Sequence, residues 1–113
     1  MADRLVWLLR HFELRAHVFQ AGRMDHVARF RAADGLGYIH VLERGVLEIE
    51  GERHDRRLLT EPSLFVYINP TDHRLTPRDD AVKMVCATFE FGAGMCNPVR
   101  RALPDLLCIG LAD

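Results

Sequence analysis

The sequence predicts an all-β domain, and three observations support that prediction. Short apolar segments recur along the chain, and Gly, Pro, Asn and Asp punctuate them. The segments on either side of Arg44-Gly45 alternate or are rich in β-branched residues, and a second turn follows at Gly51-Glu52. Further along, an apolar strand after Pro62 again runs into a proline turn, which ends at His73. Many short strands with regular turns are typical of a β-sandwich or a β-barrel.

Two glycines mark the turns of the first module. Gly45 and Gly51 stand where a hairpin or a bulge needs a backbone with positive φ, which glycine adopts without steric penalty. We therefore expect the strand that ends at Arg44 to form a hairpin with the strand that follows Gly45.

The apolar segments can be assigned to strands in order along the chain. Residues 106–111 are apolar and form a further strand-like segment near the end. The other predicted strands are Leu14–Phe19, His26–Phe30, Gly37–Glu43, Val46–Glu50, Arg56–Leu59, Leu64–Ile68 and Val82–Phe91.

Helices are predicted only near the two ends of the chain, and both are short. Asp3 caps the first, whose apolar residues recur at helical spacing from Leu5 to Phe12. Asn97 as cap and Pro98 in the first turn begin the second. We expect the N-terminal helix to lie against the wall of the β-structure.

The long strand Val82–Phe91 has two faces of different composition. The face that carries Ala87 and Phe89 is predicted to point into the core, together with Val85 and Phe91. Met84 and Cys86 then face solvent or a partner, unless the strand is covered on both sides.

Composition indicates one globular domain in the cytoplasm. The 113 residues are 49% hydrophobic, and the formal charge of −1 argues against this segment binding nucleic acid by itself. The three cysteines, Cys86, Cys96 and Cys108, cannot all pair within one chain, and we expect buried thiols in a reducing compartment. The apolar run at residues 5–9 is too short to cross a membrane, so no membrane association is expected.

Two strand-and-turn modules of this kind form the skeleton of a small cupin β-barrel, also called a double-stranded β-helix. Metal-binding cupins surround one divalent ion with two histidines on one strand, a glutamate, and a third histidine from the opposite sheet. With Gly45 as the anchor, Tyr38 occupies the glutamate position, and the paired histidine positions fall on residues 31 and 33 or 32 and 34, which contain no histidine. Only His73 remains of the second motif. The standard cupin metal site is therefore predicted to be absent.

A different set of side chains could still converge inside the barrel. His40 shares a face with Tyr38, and His73 stands at the mouth. His26, on a neighbouring strand, completes a candidate trio of His26, His40 and His73 for zinc or another divalent metal. An inward histidine is more often a hydrogen-bonded core residue or a ligand contact, so we expect no cofactor. Asp72 beside His73 suits turn chemistry better than an acid–base pair, and no catalytic residue is predicted.

The order and spacing of several segments resemble the N-terminal cupin domain of AraC-type transcriptional regulators. The segments are Asp3-Arg4-Leu5, His17-Val18-Phe19-Gln20-Ala21-Gly22-Arg23, Ile39-His40-Val41-Leu42-Glu43-Arg44-Gly45, Glu61-Pro62-Ser63-Leu64-Phe65, His73-Arg74-Leu75 and the tail Phe91-Gly92-Ala93-Gly94 with Asn97-Pro98. The resemblance implies a domain that binds a small-molecule effector in the barrel and forms a homodimer. It also implies that the domain is not an enzyme. We expect Tyr38, His40, Tyr67 and His73 to contact the effector.

Two departures from the family pattern bear on function. Some relatives carry an oxidant-sensing cysteine after the first turn, whereas this chain reads Arg23-Met24-Asp25-His26 there. No helix-turn-helix region is found up to Asp113, so the 113 residues are interpreted as one cupin domain that reaches DNA only through a region not present in this chain. Two alternatives stay open: a stand-alone metal-dependent cupin enzyme, and a purely structural dimerisation cupin.

Overall fold

The computed structural model describes residues 15–32, 36–52, 54–90 and 101–111. These residues form nine β-strands, numbered here in chain order. They are β1 Arg15–Arg23, β2 Ala28–Phe30, β3 Gly37–Arg44, β4 Leu47–Gly51, β5 His54–Leu59, β6 Ser63–Tyr67, β7 His73–Pro77, β8 Lys83–Glu90 and β9 Leu106–Gly110.

The strands make two antiparallel sheets that face each other across one interior. The five-stranded sheet has the order β1-β8-β3-β6-β9, and the four-stranded sheet has the order β2-β7-β4-β5. The predicted all-β class is confirmed. Strand β7 was not predicted, because its five residues lie between two proline-containing turns and begin with a histidine and an arginine. Among the described residues, no helix is long and apolar enough to span a membrane.

The two predicted helices fall largely outside the described residues. The N-terminal helix lies there entirely. Of the C-terminal helix, which was predicted to run from Asn97 to Leu103, the last three residues are described: Arg101 and Ala102 are helical and Leu103 lies in a bend.

The turn at Arg44-Gly45 joins strands of different sheets, so the predicted hairpin is wrong. Strand β3 pairs with β6 and β8, whereas β4 pairs with β5 and β7. Gly45 does have a positive φ of 92°, and a Cβ built there would come within 2.6 Å of Val82 Cα. A bulge does occur between Ile49 and Gly51, but Gly51 is not among the positive-φ glycines of the described residues. Alternation along a strand does not reveal which strand it pairs with.

Two apolar clusters lie on the two faces of the five-stranded sheet. The larger fills the space between the sheets and includes Met24, Phe30, Tyr38, Leu42, Leu47, Ile49, Leu59, Phe65, Tyr67, Leu75, Val82, Met84 and Cys86. The smaller, on the outer face, contains Leu64, Val66, Ile68 and Phe89, with further partly buried residues of β3 and β9 packed against it.

Strand β8 is therefore covered on both sides, and the predicted core face was the outer one. Met84 and Cys86 are buried and line the barrel interior. Phe89 packs in the outer cluster, and Ala87 is buried on the same face. The sequence could not rank the two faces, because both carry apolar side chains.

Candidate functional site

Two histidines meet in the middle of the barrel interior. His40 lies on β3 of the five-stranded sheet, and His73 begins β7 of the four-stranded sheet. Their Nε2 atoms are 2.8 Å apart, and the residues are 0% and 5% exposed. One hydrogen bond between imidazoles therefore connects the two sheets across the interior.

The neighbouring contacts assign the protons of this pair. His73 Nδ1–H donates to the carbonyl of Thr71 at 2.9 Å. A neutral imidazole has one donor and one acceptor, so His73 Nε2 accepts and His40 Nε2–H donates. His40 Nδ1 is then a buried acceptor, and it has no hydrogen-bond partner among the described residues.

Burial keeps both histidines neutral. It lowers the pKa of His40 well below its ordinary value, and the neighbouring His73 adds to that effect. Burial also lowers the pKa of His73 to about 4, although the Thr71 hydrogen bond and the charge of Asp72 oppose the change. Both hydrogen-bonding nitrogens of His73 are used by His40 and Thr71. Asp72 is therefore not its acid–base partner.

Four aromatic rings enclose the pair. Tyr67 stacks on His73 with ring centroids 3.9 Å apart, and Phe30 stacks on the same ring at 4.9 Å. Phe65 lies against His40 at 4.9 Å, and the Tyr38 ring is parallel to His40 at 5.9 Å. The structure thus brings the four predicted effector contacts, Tyr38, His40, Tyr67 and His73, into one cluster.

Phe30 and Phe65 belong to this cluster but were not predicted. Phe65 could have been found, because it shares a face with Tyr67 two residues later. Phe30 sits on the three-residue strand β2, where it pairs with His73 in the β2–β7 register. No sequence pattern gives the pairing of so short a strand.

The phenol groups of Tyr38 and Tyr67 resist deprotonation. Burial raises the pKa of Tyr38 and, more strongly, that of Tyr67. Tyr38 donates its O–H to the carbonyl of Arg31 at 2.9 Å. This bond fixes the end of β2 to the start of β3 at the mouth of the barrel.

A cavity of about 360 Å³ opens at this mouth, directly beside the aromatic cluster. Phe30 and His73 belong both to its lining and to the cluster. The other lining residues are Arg29, Arg31, Glu50, Gly51, Glu52, Asp72 and Arg74. The volume is within the range of small-molecule pockets, which begins at roughly 300 Å³.

A bulge on β1 turns another aromatic ring toward this end of the barrel. The β1–β8 register shifts between Val18 and Gln20, so Phe19 is the extra residue. Its ring lies 6.0 Å from Phe30 and 6.4 Å from Tyr38, yet the residue is 46% exposed. Phe19 therefore adds a partly exposed apolar surface next to the two buried rings.

The third predicted metal ligand lies elsewhere. His26 is exposed and its Nδ1 is 2.9 Å from Asp25 Oδ1, a contact that lowers the pKa of Asp25. The trio His26, His40 and His73 is therefore not brought together. No cluster of three or more His, Cys, Asp or Glu side chains suited to a metal ion occurs in the described part of the chain.

The cupin fold often carries a metal, and the residues present here do not fit one. The Nε2 atoms that would coordinate the ion are bonded to each other, and the nearby Asp72 carboxylate accepts a hydrogen bond from Ala32 N instead. Aromatic rings and the Cys86 thiol, which lies opposite His40 in the β3–β8 register, are also close to the pair. The described side chains of this interior therefore do not form a metal site.

Neither described cysteine forms a disulfide. Cys86 is buried in the interior, opposite His40 in the β3–β8 register, and burial raises the pKa of its thiol to about 11. Cys108 is partly buried on β9. A protonated, enclosed thiol agrees with the predicted structural role for Cys86, while Cys96 lies outside the described residues.

Comparison with known proteins identifies the family. A family model described as Cupin matches residues 3–113. The chain belongs to the cupin family. The match covers nearly the full sequence and agrees with the two facing antiparallel sheets. A comparison with curated proteins gives no match.

Solved structures of ToxT from Vibrio cholerae have a similar fold. An apo lysine-to-alanine variant of ToxT aligns with a TM-score of 0.55 at 11% identity, over 88% of this cupin and 42% of that chain. ToxT bound to (E)-4-(8-methylnaphthalen-1-yl)but-3-enoic acid aligns with a TM-score of 0.54 at 11% identity, over 88% of this cupin and 43% of that chain. The cupin chain thus spans well under half the length of each ToxT chain. The predicted cupin family is confirmed by the family match, and the ToxT structures, at 11% identity, show a similar fold.

Proposed function

We propose that this cupin is the effector-sensing domain of an AraC-type regulator, and that the effector binds in the cavity at the barrel mouth. The observation that carries the proposal is the position of His73. Its ring lines the cavity on one side and bonds to the buried His40 on the other. A ligand in the cavity would therefore touch a side chain that connects the two sheets.

The coupling would act as a shift between states of the barrel. A ligand that contacts Phe30 and His73 stabilises the arrangement in which His73 stacks on Tyr67 and bonds to His40. Strand β7 carries His73, and strand β3 carries Tyr38 and His40. Ligand binding would therefore affect contacts in both sheets. The unpartnered Nδ1 of His40 offers an acceptor to any donor group that reaches the interior.

The remaining parts of the proposal concern partners. With a formal charge of −1, the domain has no surplus of positive charge for the DNA backbone, so DNA would be contacted through a separate helix-turn-helix region. ToxT binds a carboxylic acid in a solved structure, which supports a small organic effector here. We further propose a homodimer in the cytoplasm, as in the regulators that this cupin resembles.

The proposed domain is not an enzyme. The two interior histidines are neutral and bonded to each other, and the Cys86 thiol is protonated. The unpartnered Nδ1 of His40 is a weak base, because burial holds the pKa of His40 well below its ordinary value, and a protonated thiol is a poor nucleophile.

A thermal-shift screen of small molecules tests the sensing role. We expect a ligand that raises the Tm of the parental cupin and of H17Q, which removes an exposed histidine on β1. The same ligand should give a much smaller shift with H73F, which keeps an aromatic ring but loses both hydrogen bonds. If no compound of any charge class shifts the Tm, the sensing function is refuted.

A structural dimerisation cupin is the second candidate, and one observation favours it. The interior beyond the mouth is filled by the cupin's own aromatic side chains, which include Phe65 and Tyr67. That candidate predicts a stable dimer and no ligand-dependent Tm shift. Sedimentation analysis alongside the screen separates the two functions.

A further inference from the structure

The charged side chains that line the mouth cavity differ in whether they have hydrogen-bond or ion-pair partners. Three acidic residues line the cavity, and each has a partner. Glu50 pairs with Arg74, Asp72 Oδ1 accepts from Ala32 N at 2.6 Å, and Glu52 Oε1 accepts from Asp72 N at 3.3 Å. All three carboxylates are therefore hydrogen-bonded, and Glu50 is also paired with a cation.

Two of the three lining arginines have no such partner. Arg29 and Arg31 make no side-chain hydrogen bond or ion pair with any of the described residues, whereas Arg74 is held by Glu50. Both are exposed and flank Phe30, the ring that forms the apolar part of the lining. The lining thus contains two arginines whose guanidinium groups are not engaged by the described residues.

The strand register places two arginines opposite each other, which lowers the stability of the sheet when no anion is bound. Arg29 lies directly opposite Arg74 in the β2–β7 pairing, and Glu50 lies opposite Arg74 on the far side of β7. Like charges directly opposite each other destabilise a sheet. The single acidic neighbour compensates Arg74, and the charge of Arg29 remains available for an anion.

We propose that the effector of the mouth cavity is an organic monoanion, with its anionic group bound by Arg29 and Arg31 and its apolar body against Phe30. This inference rests on the proposed sensing function and assigns the chemical class of its ligand. Guanidinium groups bind carboxylates through paired, charge-assisted hydrogen bonds. The neighbouring Glu50, Glu52 and Asp72 carboxylates restrict the number of negative charges that the cavity accepts, which favours one charge over two or three.

The test uses a panel of aryl and alkyl carboxylates that includes 4-phenylbutanoate, each with its primary amide and its amine. Binding to the whole domain is measured by calorimetry at low and at high salt. Carboxylates should bind, their amides should bind at least about tenfold more weakly, and high salt should weaken carboxylate binding. R29Q and R31Q should each weaken carboxylate binding about tenfold.

R44Q is the matched control, because Arg44 is exposed and lies at the opposite end of β3 from Tyr38. It removes the same charge and should leave binding unchanged. Equal binding of amides and carboxylates, preferential binding of amines, or unchanged carboxylate binding in R29Q and R31Q would overturn the anion assignment while leaving the sensing function intact. The absence of binding by all three classes and by a wider neutral library would overturn the sensing function as well.

Discussion

His40 and His73 join the two sheets of this cupin through a single imidazole–imidazole hydrogen bond. The bond is enclosed by aromatic rings and lies next to a cavity at the barrel mouth. His73, the one histidine that matches a metal-binding cupin motif, here forms a neutral polar contact in an apolar interior. Its consequences for stability can be measured.

Stability should fall on acidification, because burial lowers the pKa of His73 to about 4. Between pH 6.5 and 4 the unfolded chain binds a proton at this imidazole and the folded chain does not, so stability decreases as the pH falls through that range. The loss attributable to His73 is on the order of 3 kcal/mol, and His40 acts in the same direction. Urea unfolding at several pH values measures it. H17Q should keep the parental profile, and a parental stability that is flat from pH 7 to pH 4 would contradict the burial of a neutral pair.

Breaking the pair from one side should destabilise the domain. H40F leaves His73 Nε2 without a donor, and H73F leaves His40 Nε2–H without an acceptor, so each should cost about 1–3 kcal/mol of unfolding free energy. The double variant H40F/H73F should cost less than the sum, since the second change removes the atom that the first left unpaired. Strict additivity in this double-mutant cycle would show that the two imidazoles do not interact.

Gly45 should be intolerant of any side chain. Its φ of 92° and the 2.6 Å approach of a built Cβ to Val82 Cα mean that G45A forces the backbone of the sheet-crossing turn to move. We expect a loss of about 2 kcal/mol or more in chemical denaturation. G110A is the control, because nothing lies within 4 Å of a Cβ built on Gly110. If both variants unfold at the same denaturant concentration, the described turn is wrong.

The two described thiols should differ in reactivity. Cys86 is fully buried and its pKa is raised to about 11, whereas Cys108 on β9 is partly accessible. In a C96A background, iodoacetamide should modify Cys108 of the folded protein well before Cys86, because the thiolate is the reacting species. Mass spectrometry of a time course gives the order, and denaturant should remove the difference. Faster labelling of Cys86 would refute its burial.

Much of the fold could be predicted, because alternation of apolar and polar residues indicates strands, and glycine and proline indicate turns. The face shared by Tyr38 and His40, and that shared by Phe65 and Tyr67, followed from the two-residue period of a strand. Strand pairing did not follow, since alternation is the same whichever neighbour a strand has. Alternation around Arg44-Gly45 therefore predicts a hairpin where the chain crosses between sheets. The two faces of β8 could not be ranked, because both carry apolar side chains.

The candidate site was predictable in its residue types and not in its geometry. Tyr38, His40, Tyr67 and His73 were expected together, and they are. The separation of His26 from the pair depends on where the short strand β2 begins, because Ala28 is its first residue and His26 lies before it, and no pattern in the sequence fixes that start. The position of Arg29 opposite Arg74 likewise depends on the β2–β7 register.

The most direct test of the account is a measurement of the histidine side-chain nitrogen chemical shifts by ¹⁵N NMR at pH 7, without and with added zinc. The account predicts that His73 carries its proton on Nδ1 and His40 on Nε2, and that zinc leaves both signals unchanged. Charged imidazoles, the opposite tautomers, or zinc-dependent shifts at His40 and His73 would contradict a metal-free neutral pair beneath the effector cavity.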